Sequence, residues 1–306
     1  RPAAPPPPPR ALLRESFRAV SSTAQLLAAI DERVAEVELE PGATFVFVSS
    51  IDSGVGPTAL HLDYEVSGRG SSPPPQTALA YNAAAALALL LPLLTRLCVD
   101  RVAPAQVTIS APPGTHAVLD AGASAVELRR VLTVAAGARA VLRRVTLTGG
   151  YSGEWGGGAR VEADATLLLE ACHVRGCVAV STTTASAFGG GVDNAGTLAL
   201  VDSAVEGNAA TSSSTGTAFG GGVANAGDLT LTRSGLANNT AASAEGPAIG
   251  GGLSNGRTGV AALLESAVEG NAATSSSTRF TAGGGVANAG SLTLTRSGLA
   301  NNTAAS

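Results

Sequence analysis

Lysine and methionine are missing from this chain of 306 residues, and aromatic side chains make up only 3% of it. Without lysine there is no Gly-Lys-Ser/Thr phosphate loop, so one large class of nucleotide enzymes is excluded. With 45% apolar residues but so few rings, any core must be built from Val, Leu and Ala. Charged residues are also sparse, at 14%, and the net charge is −4. The 19 basic side chains, all arginine, are scattered singly, so no basic stripe suits a nucleic acid or an anionic membrane.

Cysteine is equally scarce. Cys98, Cys172 and Cys177 are too few, and odd in number, for a disulfide framework. The last two are five apart, which is not a zinc-knuckle spacing, and no second pair exists. They read either as small buried side chains or as a local Cys172–Cys177 disulfide. No motif calls for a cofactor or a metal ion. The longest apolar run, residues 83–94, has twelve residues and is broken by Pro92, where a membrane helix needs about 20. No transmembrane span is expected, and a buried helix or strand pair suits the run better.

Composition divides what remains. Residues 1–20 open with RPAAPPPPPR and read as a proline-rich, disordered tail. Residues 21–48 predict a capping helix followed by first strands: Ser22 can cap it, and Leu26, Ile30 and Val34 share one face. Residues 49–105 read as an irregular insertion carrying the apolar segment. From 106 onward, short β-type runs alternate with Gly, Asn and Ala-Gly corners, up to residue 306.

That last region repeats. Gly-Gly-Gly begins at 156, 189, 220, 250 and 283, at intervals of 33, 31, 30 and 33. Residues 205–243 and 268–306 match at 34 of 39 positions, so a two-coil block has been duplicated. Fixed periods of this size signal a solenoid. Within GGGVDNAGTLALVDSAVEGN (189–208), period-two alternation gives three short strands joined by tight corners. The polar segments 180–188, 209–219, 241–249 and 272–282 read as loops leading to the next glycines. One such coil cannot repay its ordering entropy, but stacked coils share a core. The expected fold is therefore all-β: a right-handed parallel β-helix with three short strands per coil. The chain begins at Arg1, without a visible signal peptide, and stops at Ser306 just after a third strand. It thus reads as a truncated array whose open C-terminal edge favours self-association.

Stacking places equivalent residues in ladders. Val192, Val223, Leu253 and Val286 form an aliphatic one. Asn194, Asn225, Asn255 and Asn288 form an amide one, and Asn208, Asn239, Asn271 and Asn302 a second. Both amide ladders read as structural, since Asn can donate and accept along a stack. Asp202, Arg233, Glu265 and Arg296 alternate in sign at one equivalent position.

The paired signature GGGV…VEGN and GGGVANAG…LTLT…GLANN resembles the GGA[IVL] and FxxN repeats of chlamydial polymorphic outer-membrane proteins. It also resembles secreted parallel β-helix proteins of the pectin-lyase-like class. The Phe of FxxN is Val205, Leu236, Val268 or Leu299 here, which keeps an inward apolar anchor. The resemblance implies a surface or secreted location, the outer membrane if the source is bacterial. It is compatible with adhesins and with polysaccharide lyases or hydrolases alike.

Chemistry is thin along the repeat. The richest stretch is YSGEWGGGARVEADATLLLEACHVRGC (151–177), which holds the only Trp. Tyr151, Glu154, Trp155, Arg160 and His173 are candidate glycan-binding residues there; no catalytic set can be named. Asn238 and Asn301 begin Asn-Asn-Thr sequons and are candidate N-glycosylation sites. The expected function is a non-enzymatic secreted or cell-surface protein, an adhesion or interaction rod using its aligned polar loops. Its partners would be glycans or surface proteins. The alternative is a polysaccharide-binding or polysaccharide-degrading β-helix using residues 151–175.

Overall fold

The computed structural model describes residues 106–125, 128–277 and 280–306, residues 25–26, and the backbone strands at 17–20, 36–39, 44–46, 58–64 and 97–99. It is a parallel β-solenoid. All pairings between its named strands are parallel, and the later coils hydrogen-bond to one another through five sheets rather than three. In one coil these are Val192–Asn194 (sheet 1), Thr197–Val201 (sheet 2), Ala204–Glu206 (sheet 3), Ala209–Ser212 (sheet 4) and Ala218–Phe219 (sheet 5). Sheets 1 to 5 contain 8, 9, 8, 6 and 4 strands, so the last two join only the later coils.

The extra sheets revise the three-strand coil. The segment 209–219, expected as a polar loop, forms two strands whose alternate residues are buried. Ala187, Ala210, Ala218 and Ala241 make a small second core there, separate from the main one. Alanine suits it because sheets 4 and 5 lie close together. Ser243 and Ser275 close the far end, donating to the carbonyls of Gly216 and Gly246 at 2.9 Å. The cross-section therefore has two lobes: a main barrel of sheets 1 to 3, and a flange of sheets 4 and 5.

The main barrel follows the sequence pattern. Val192, Leu198, Leu200 and Val205 of one coil are fully buried, as are Val223, Leu236 and Leu253 on later coils. The register pairs Val192 with Val223, Leu253 and Val286 in turn. Earlier segments join the same sheets. Phe17–Val20 and Glu36–Leu39 begin sheet 2, Thr44–Val46 begins sheet 3, and Thr58–Tyr64 and Leu97–Val99 end sheet 1. Two strands thus arise within the stretch expected to be an irregular insertion. Of the expected capping helix, only Gln25 and the buried Leu26 lie among the described residues; the rest falls outside them. No helix among the described residues is long and apolar enough to cross a membrane.

The Gly-Gly-Gly corners join the two lobes at a waist. Gly189 has φ 60°, a left-handed conformation that L side chains rarely adopt. Gly190 lies against the backbone of Ala209, and a Cβ there would sit 2.2 Å from its carbonyl carbon. The glycines thus let the chain pass directly over its own fourth strand.

Candidate functional site

The concave corner at this waist creates a groove of about 770 Å³ running along the solenoid axis. One wall is the flange, at the residue immediately before each glycine triplet. Trp155, Phe188, Phe219, Ile249 and Ala282 occupy that position and pair from coil to coil. The Phe188 and Phe219 rings stack at 5.0 Å with an interplanar angle of 8°, and Trp155 and Phe188 at 6.5 Å and 11°. The floor is the outer face of sheet 1, where Asp193, Ala224, Ser254 and Ala287 follow one another. In a chain so poor in rings, three aromatics in one ladder mark this wall as distinct. The signal was present in the sequence as EWGGG, AFGGG, AFGGG and AIGGG, but the glycines drew attention away from the residue before them.

Charge is concentrated at the first coils. Arg160 lies over the Trp155 ring, its Cζ 4.8 Å from the centroid, and its Nε is 3.8 Å from Asp193 Oδ2. Asp193 is mostly covered, and burial pushes its carboxyl up to about 6, against the opposing pull of Arg160 and Arg130. Arg130 is buried, and its guanidinium is lowered to about 10 by desolvation and by Arg160. Arg130 Nε donates to Gly156 O at 2.7 Å and Nη2 to Trp155 O at 2.5 Å. Along this ladder, carbonyls accept from the preceding coil: Gly156 N–H donates to Phe188 O, and Gly189 N–H to Phe219 O. Sheet 5 has no strand before Trp155, so Arg130 supplies the donors its first carbonyls need.

The five candidate glycan-binding residues do not converge. Trp155 and Arg160 touch, but the ring, 38% exposed, has Arg160 and Phe188 as neighbours. Tyr151 lies on sheet 4, and Glu154 at a corner with φ 62°. His173 belongs to sheet 3, where its Nδ1 is 3.6 Å from Glu206 Oε1 and its ring meets His116 edge-on at 5.6 Å. Partial burial, with His173 and Arg144 alongside, holds His116 below its usual value.

The asparagine ladders are buried structural elements of the coil corners. Asn194 donates to Asn225, Asn225 to Asn255, and Asn255 to Asn288, each at 2.7 Å. In the second ladder, Asn208, Asn239 and Asn271 each donate to the next side-chain carbonyl at 3.0 Å. The charge ladder is also formed: Arg233 makes a bidentate pair with Asp202, and Arg296 pairs with Glu265 at 2.6 Å. Serine forms a further ladder, not expected from the sequence. Ser203, Ser234, Ser266 and Ser297 link coil to coil, each accepting from the backbone N–H of the coil before it.

Cys172 and Cys177 hold the Ser and Asn ladder positions in the first of these coils, and both are buried free thiols. Burial raises them to about 11 and about 12. Among the described residues no three acidic, His or Cys side chains gather as a metal site.

Comparison of the chain with family models, curated proteins and solved structures finds no match.

Proposed function

We propose that this is a non-enzymatic β-helix of the secreted or cell-surface kind, as its likeness to outer-membrane and pectin-lyase-like repeats implies. It is a rigid rod that holds an extended, mainly apolar polypeptide segment of a surface partner in its axial groove. The observation that carries this reading is the apolar lining beside the stacked Phe188–Phe219 wall, which Trp155 extends by one coil. Ala224, Ala226, Val286 and Ala287 offer no hydrogen bonds, and Asn225 and Asn255 already donate within their ladder.

A saccharide chain needs many donors, acceptors and open ring faces, whereas these rings largely cover one another. An apolar peptide needs only the surface. Arg257 lines the groove, and Arg160 lies one coil before its first lining residues, in register with Asp193, which favours a segment with acidic residues near both.

The test is binding of the full chain to an array of apolar peptides with acidic flanks, printed beside a glycan panel. The reading expects peptide signals that fall at least tenfold in Phe188→Ala/Phe219→Ala. Signals confined to glycans and lost in Trp155→Ala would replace it with the polysaccharide-binding alternative. Release of reducing ends from pectin or alginate would overturn the non-enzymatic assignment.

A further inference from the structure

The corner between sheets 3 and 4 requires a left-handed residue on every coil. Gly149, Gly176, Gly207, Asn238, Gly270 and Asn301 fill it, with φ of 65°, 61°, 61°, 53°, 64° and 53°. Gly and Asn tolerate that conformation best. The residue two positions later changes with them. Where the corner is Gly, it is Tyr151, Val178, Ala209 or Ala272; where the corner is Asn, it is Thr240 or Thr303. Asn238 and Asn301 are therefore the only asparagines of the chain's eleven that start an Asn-x-Ser/Thr sequon.

They differ structurally from the others. Eight asparagines form the two ladders, where the amide nitrogens are spent inside the coil stack. Asn208 and Asn239, for example, are 1% and 0% exposed. A sugar on any of these would break the stack, and none carries a sequon. Asn238 and Asn301 are exposed, and their outward position leaves the amide clear of the core.

Their neighbours make room. A Cβ on Gly207 would meet nothing within 4 Å, and one on Gly270 would lie 2.5 Å from Asn238 Oδ1. Each corner asparagine thus has a glycine on the coil before it, and Asn238 has one on each side. At a coil spacing of about 4.8 Å, any larger neighbour would crowd the first sugar.

We infer that Asn238 and Asn301 are N-glycan acceptors, forming a row of two sugars about 10 Å apart on one corner of the rod. The chemistry is a group transfer from a lipid-diphosphate-linked oligosaccharide, catalysed by a transferase of the secretory route. The bond from sugar C1 to the diphosphate oxygen breaks, and a bond from C1 to Asn Nδ2 forms. The amide gives up one proton, and the lipid diphosphate leaves. This inference does not depend on the groove.

The full chain, secreted from a eukaryotic host behind that host's leader, tests it. Expected are two mass steps removed by peptide-N-glycosidase, with Asn converted to Asp at 238 and 301 in peptide mass spectra. Asn238→Gln and Thr240→Ala should each lose the same single step, and Asn301→Gln the other. Secreted protein of unshifted mass, or unconverted Asn at both sites in the host's secretory fraction, would overturn it.

Discussion

Asn194 donates to Asn225 Oδ1 at 2.7 Å, yet its own buried Oδ1 receives no hydrogen bond. The residue in register on the preceding coil is Val161, which has nothing to donate. The amide ladder therefore ends on an unsatisfied acceptor, which costs about 1–3 kcal/mol. Val161→Thr keeps the shape and brings a hydroxyl toward that oxygen. It should cost less than about 1 kcal/mol, whereas Val192→Thr, equally buried with no such acceptor, should cost about 1–3 kcal/mol. Urea unfolding of both variants checks the difference.

Cys172 tests the serine ladder. Its sulfur lies 3.5 Å from the Val145 nitrogen and 3.3 Å from the carbonyl oxygens of Leu142 and Glu170, matching the pattern of Ser203. Cys172→Ser should leave the melting temperature unchanged or raise it. By contrast, Ser234→Ala strips the acceptor from Ser203 N–H and should cost about 1–3 kcal/mol. In the native protein both thiols should react slowly with a disulfide reagent, since burial disfavours the thiolate.

The waist predicts a contrast between glycines. A Cβ at Gly190 meets the Ala209 backbone at 2.2 Å, while one at Gly207 meets open space. Gly207→Ala should cost about 1–2 kcal/mol, the penalty of a left-handed alanine. Gly190→Ala should exceed about 4 kcal/mol or abolish folding, because only backbone movement relieves the clash. Thermal melts of the two variants give the comparison.

Asp193 gives the protein a pH dependence of defined sign. Burial raises its folded value to about 6 from 3.8, so between those values the native state keeps a proton that the unfolded chain releases. Its contribution is therefore full below pH about 4 and falls away as pH rises through 6, by about 2–3 kcal/mol. Asp193→Asn should remove this component. Its stability relative to wild type should rise between pH 4 and 7, and a constant difference would contradict the assignment.

Much of the main barrel was legible in sequence because its residues are chemically distinctive. Aliphatics alternate with period two, and Asn or opposite charges recur at one coil position. The pairing of Arg233 with Asp202 at 2.7 and 2.9 Å follows from that register. The flange was not legible. Its inward residues are Ala210, Ser212, Ala218 and Ser243, whose small size is what a narrow lobe requires but which read as loop. The same composition concealed the groove, since its wall, Phe188 and Phe219, seemed to lie at the end of a loop rather than on a strand. The Ser ladder was masked by the αL residues before it, among them Asp202 and Arg233, with φ of 50° and 48°.

The most direct test of the account is amide hydrogen exchange across 209–219. A five-strand coil predicts that Ala209–Ser213 and Ala218–Phe219 exchange as slowly as Thr197–Val201, with the tip at Ser214 and Thr215 exchanging quickly. Rapid exchange throughout 209–219 would mean that the flange, and the groove it walls, do not exist.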